Sequence, residues 1–105
     1  MHPTMNNTKW RELRAAMLEL EKPGPAWRVR MVGSGYESDW DSEWFYHFMD
    51  GSYEDIEWVE VRPANDEQAS SLLAALRAIH LPGIKTDVGF KVFGHLPETT
   101  ACEYL

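Results

Sequence analysis

The sequence predicts an α+β fold: an antiparallel sheet of four to five strands with two helices on one face, in the order α-β-β-β-α-β(-β). Three observations point to it. Two stretches place apolar residues at helical spacing, several short runs alternate apolar with polar residues as half-buried strands do, and proline or glycine separates the segments.

The first helix is expected over Lys9 to Glu21, where Trp10, Leu13, Met17 and Leu20 form one apolar stripe that Ala16 widens. Asn7 or Thr8 is placed to accept its first free amides, and Lys22-Pro23-Gly24-Pro25 cannot continue it, because proline lacks the donor. Alternation of Trp27, Val29 and Met31 with Arg28 and Arg30 predicts a strand over Ala26 to Val32. A turn-rich loop follows from Gly33 to Asp39, and the aromatic run Glu43 to Met49 is expected as the second strand.

Asp50-Gly51 is a two-residue hairpin signal, since both central positions need positive φ. It predicts a third strand over Tyr53 to Val61 and pairs Phe48 with Tyr53, Tyr46 with Asp55, and His47 with Glu54. The second helix is announced by Pro63, by Asn65 as cap, by Asp66 and Glu67 in the first turn, and by Gln68 reaching back. Ala69, Leu72, Leu73, Leu76 and Ile79 are its buried stripe, and Pro82-Gly83 ends it near His80. Val88, Phe90 and Val92 predict a fourth strand after the Asp87 turn, with a short last strand over Ala101 to Tyr104. Residues 8–105 read as one domain, and residues 1–7 as a mobile N-terminal extension, since that stretch is polar and Met5 can serve as a start.

Ten Lys and Arg stand against 17 Asp and Glu, a formal charge of −7 that disfavours nucleic acid, whose phosphates need clustered cations. No apolar run approaches the roughly 20 residues that span a bilayer, so no membrane partner is expected. Cys102 is the only cysteine, which fits a reducing cytoplasm. The charge is also uneven. Residues 36–60 hold nine acids (Glu37, Asp39, Asp41, Glu43, Asp50, Glu54, Asp55, Glu57 and Glu60) and no Lys or Arg, whereas residues 1–35 hold six cations and three anions.

Two readings of that segment stay open. It is a solvated sheet surface partly neutralised by Arg28 and Arg30, or it is a binding face for a basic protein. In the second reading the contact residues are Asp39, Trp40, Asp41, Glu43, Trp44, Tyr46, Tyr53 and Glu54, with the rings as anchors. His47 beside Glu54 offers an alternative: a small-ligand site or weak hydrolase walled by Trp44 and Trp58.

Other chemistry lacks its pattern. Asp39-x-Asp41-x-Glu43 imitates a calcium loop, yet Trp44 stands where that loop turns on glycine. His2, His47, His80 and His95 are scattered without zinc-ligand spacing, so neither metal nor cofactor is expected. Gly33-Ser34-Gly35 lacks the further glycines of a phosphate loop, and no motif marks Ser34 or Cys102 as a nucleophile.

Thr8 to Arg14, Trp40 to Phe48, Ile56 to Glu60, Ile79 to Gly83 and Gly89 to Gly94 together resemble a family of short bacterial proteins catalogued as a domain of unknown function. The likeness runs from residue 8 to 95, and the tryptophan-rich Trp40 to Phe48 stretch is its most distinctive part. It implies a bacterial cytoplasmic protein and brings no activity, cofactor or catalytic residue. By class alone, a small acidic α+β protein is also similar to immunity proteins, which neutralise basic toxins.

Overall fold

The first helix, α1 (Asn7–Glu19), begins where a side-chain oxygen of Asn6 accepts the amide of Lys9 at 2.9 Å. The cap is thus one residue earlier than the sequence suggests, because Asn6 keeps extended backbone while Asn7 and Thr8 are already helical. The computed structural model describes residues 2–20, 23–44, 48, 53–98, 100–101 and 103–105. Besides α1 it contains β1 (His2–Pro3), β2 (Ala26–Met31), β3 (Ile56–Arg62), α2 (Asp66–Ile79), β4 (Gly83–Lys85), β5 (Phe90–Phe93) and β6 (His95–Leu96).

The main sheet is antiparallel with spatial order β2-β3-β5-β4, and β1 pairs with β6 in a separate two-stranded ribbon. Register puts Trp27 opposite Val61, Val29 opposite Val59, Val59 opposite Val92, and Val61 opposite Phe90. Since strand side chains alternate, these residues share one face. That face meets the apolar stripes of α1 (Trp10, Leu13, Met17) and α2 (Leu72, Leu76) in one core. This is the expected α+β arrangement, with both helices on the same side of the sheet.

The α2 ends follow the sequence closely. Asn65 accepts the Gln68 amide at 2.8 Å, while the Gln68 side chain accepts the Ala64 amide at 2.7 Å and donates to the Pro23 carbonyl at 2.7 Å. His80 ends the helix in the left-handed region at φ 61°. Lys9 on α1 donates to the Ile79 carbonyl, so a cation sits at the negative end of the α2 dipole.

The middle of the chain departs from expectation. Of the predicted strand Glu43 to Met49, the described residues 43, 44 and 48 join no strand. Trp44 and Phe48 turn inward and pack against Trp27, at 5.8 and 5.2 Å between ring centroids, and against each other at 4.7 Å. Burying two large rings in the core stabilises more than alternation along a sheet edge would, so Trp44 and Phe48 serve as core filling. The third strand starts at Ile56, because Tyr53–Asp55 form a 3₁₀ turn. Phe48 and Tyr53 do meet, at 6.0 Å, but not as sheet partners. The Asp50-Gly51 hairpin, Tyr46 and His47, and hence the other two predicted pairs, lie outside the described residues.

Three pairings were not foreseen. Gly83–Lys85 forms a strand against β5, and the fourth predicted strand begins at Phe90 because Val88 lies exposed in the intervening turn. The last predicted strand reduces to one bridge, Pro82 to Tyr104. At the other end, His2–Pro3 pair with His95–Leu96, the Thr4 amide donates to the Gly94 carbonyl at 2.9 Å, and the Thr4 hydroxyl donates to the Phe93 carbonyl at 2.6 Å.

Candidate functional site

After β2 the chain reverses at Gly33 and Gly35, whose φ values of 84° and 69° suit glycine, and then runs back along the outer edge of β2. Met31 donates to the Tyr36 carbonyl at 2.8 Å, Ser38 to that of Val29 at 2.9 Å, and Trp27 and Asp41 exchange bonds at 2.7 and 2.8 Å. The Ser38 hydroxyl also accepts the Val29 amide at 3.0 Å. Residues 36–41 thus form a strap that covers an edge otherwise open to pairing with another chain.

The strap sorts the acid-rich segment into paired and outward groups. From β2, Arg30 reaches Glu37 at 2.6 Å and Glu57 at 3.5 Å, and Arg28 reaches the buried Glu60 at 2.8 Å. Three of the nine acids are therefore matched by these two arginines. Asp39, Glu54 and Asp55 are exposed, while Asp41 and Glu43 are half-buried. Asp41 is partly structural, its carboxylate accepting the Glu43 amide at 2.8 Å.

The predicted rings divide as well. Trp44 is 3% exposed, and its indole N–H donates to the Pro25 carbonyl at 2.8 Å, which corrects its assignment as a contact anchor. Tyr53 is half-buried and stacked on Trp10, with centroids 6.0 Å apart. Trp40 is half-buried beneath the guanidinium groups of Arg28 and Arg62, 4.9 and 4.3 Å from its ring. Among the described residues of the segment, the outward aromatic is instead Tyr36, 62% exposed between Gly35 and Glu37. A tyrosine in a glycine-rich loop cannot reach a core easily, and that was the signal available in the sequence.

Trp58, offered as a pocket wall, is buried on the sheet face away from the helices, with the Lys91 ammonium 4.0 Å from its ring centre. Glu54 lines a cavity of about 190 Å³ together with Tyr53, Trp10, Met5 and His95. His95 Nδ1 lies 2.8 Å from the Ile56 carbonyl oxygen, which can only accept, so Nδ1 is the donor of this bond. Among the described residues no group of three or more His, Cys, Asp or Glu is placed to hold a metal, and no helix is long and apolar enough to cross a membrane.

A family model, Family of unknown function (DUF6678), matches residues 1–99. The chain belongs to this family. Its match takes in every strand and both helices, and so includes the strap and the cavity beside Glu54. No curated protein and no solved structure matches the chain.

Proposed function

We infer that this DUF6678 protein is a noncatalytic protein-interaction module that meets a basic protein surface through its strap, in the manner of a small cytoplasmic immunity protein. The observation that carries the reading is Tyr36, 62% exposed on the segment with the highest acid density in the chain. An exposed ring supplies contact area at little entropic cost, and exposed carboxylates of the same acid-rich segment steer a cationic partner. Asp39, Glu54 and Asp55 serve as the outward carboxylates, Trp40 as a half-buried flank, and Asp41 and Glu43 hold the strap in shape.

The test is affinity capture from the source organism with wild type and with a Tyr36→Ser, Asp39→Asn, Glu54→Gln variant. The expectation is a set of basic proteins retained by wild type, weakened as salt rises, and lost from the variant. Identical captured sets for the two proteins, at low and moderate salt, reject the reading.

A second reading, a small-ligand site, is favoured by the cavity that Glu54 and Tyr53 share with His95. Its volume of about 190 Å³ is below the usual range for drug-sized ligands, so only a ligand of a few heavy atoms fits. The His47 expected beside Glu54 lies outside the described residues, and His95 is the imidazole that lines this cavity.

A further inference from the structure

The opposite edge of the sheet, at β4, is met by the C-terminal residues. The Gly83 amide donates to the Glu103 carbonyl at 2.8 Å, and Pro82 bridges Tyr104 in antiparallel fashion, so residues 103–105 lie against the edge as an added strand would. The Tyr104 ring stacks on His80 with centroids 4.1 Å apart and planes 8° from parallel. Leu105 is half-buried against the core. A side chain at Gly83 would first collide with the Lys91 carbonyl oxygen of β5 and then meet Leu105, whose Cδ1 lies 3.2 Å from the position of such a Cβ, so glycine here serves the close approach of β5 before it serves the tail.

The tail does not fill the groove it lies in. A cavity of about 510 Å³ remains between α2 and β4, lined by Leu73, Arg77, Ile84, Lys85, Tyr104 and Leu105. Leu73 and Leu105 are its aliphatic walls, Ile84 is 37% exposed on the face of β4 that it shares with Lys91, and Arg77 and Lys85 are exposed cations of a chain that is otherwise strongly acidic. The α2 and β4 residues of the groove fall within the family match at 1–99, and residues 103–105, which lie along it, fall outside.

We propose that the groove between α2 and β4 is a strand-addition site for an extended peptide carrying an acidic residue followed by an aromatic–aliphatic pair, and that the chain's own Glu103-Tyr104-Leu105 is its tethered occupant. Main-chain bonds to Gly83 give the register, the His80 ring and the Leu73 side of the groove take alternate side chains, and Arg77 and Lys85 attract carboxylates. A tethered occupant enjoys a high effective concentration, so a partner segment displaces it only when it binds more tightly or when the tail is weakened. This edge is the far side of the sheet from the strap, and neither result below bears on the strap.

The experiment uses the full chain with Tyr104→Ser and Leu105→Ser, and a fluorescent peptide copying residues 100–105 with Cys102→Ser. The peptide is expected to bind the double variant at least tenfold more tightly than wild type, to lose that binding when its own Tyr and Leu are replaced by Ser, and to lose it against Ile84→Asp added to the variant. A folded double variant that ignores the peptide overturns the proposal. Hydrogen exchange on wild type supplies a check that does not depend on the variant folding. The Gly83 amide is expected to exchange at least tenfold faster than those of Val59 and Val92, because the tail lifts without global unfolding. Equal protection at all three would overturn the proposal by making the tail an inseparable part of the fold. A concentration-dependent wild-type dimer that disappears in the double variant would overturn it in favour of tail exchange between copies.

Discussion

Along β2 the outer edge is closed by the 36–41 strap through four backbone hydrogen bonds among the described residues, whereas the Gly83–Lys85 edge is met by residues 103–105 only at the Gly83–Glu103 bond and the Pro82–Tyr104 bridge it belongs to. The strap is also tied to the interior, because it leads into Trp44 and its neighbour Trp27 donates an indole N–H to the Glu43 carbonyl at 3.0 Å. The tail is held by one stacked ring and one half-buried leucine. Both edges avoid presenting bare backbone, but the first does so with a segment coupled to the core and the second with a segment that can open alone. Under the two proposals above, the difference would give the molecule a rigid contact surface on one side and an exchangeable one on the other.

Substitutions rank the two edges. Trp27→Ala removes a buried ring that touches Trp44 and Phe48, and is expected to cost about 3–5 kcal/mol as a shift in the urea midpoint. Arg28→Ala, on the same strand, leaves the buried Glu60 carboxylate without its 2.8 Å partner and is expected to cost about 2–3 kcal/mol. On the other edge, Leu105→Ala removes a half-buried side chain and is expected to cost about 1 kcal/mol, read in the same titration. Equal losses for Trp27→Ala and Leu105→Ala would erase the contrast. Tyr36→Ser is the smallest case, expected to change stability by less than about 0.5 kcal/mol because the ring is 62% exposed, and so any loss of binding it causes is a contact effect.

How much of this was legible in the sequence depends on how local the deciding force was. The α2 cap, stripe and stop are written within a few residues of one another, and Asn65, Gln68, Leu72 and Leu76 take the roles that spacing assigns. The first strand was legible for the same reason, since alternation of Trp27 and Val29 with two arginines admits few other placements. The run around Trp44 misled because aromatic residues carry equal weight for an edge strand and for a core, and only the location of Trp27 and Phe48 decides between them. The strand at Gly83–Lys85 is too short to show alternation, and its existence rests on the partner strand Phe90–Phe93. At the candidate site, the pairing of Arg28 with Glu60 follows from strand register, which puts them opposite each other across two strands 25 or more residues apart in the design of the fold. Tyr36 was passed over although its place beside Gly35 in a turn-rich loop argued against a core position, because the aromatic density of residues 40–48 drew the assignment there.

The β1–β6 ribbon sets an order on the folding of the chain. Its neighbouring bond from Thr4 to Phe93 spans 89 residues, so it closes one of the longest loops the chain can make and gains few contacts in return. Such a contact pays its loop-closure entropy last, after the helices and the central strands have brought its ends together. Residues 2–4 therefore wait for residues 93–96 before they find a place, and maturation of this ribbon is expected to trail the rest of the molecule in refolding time courses.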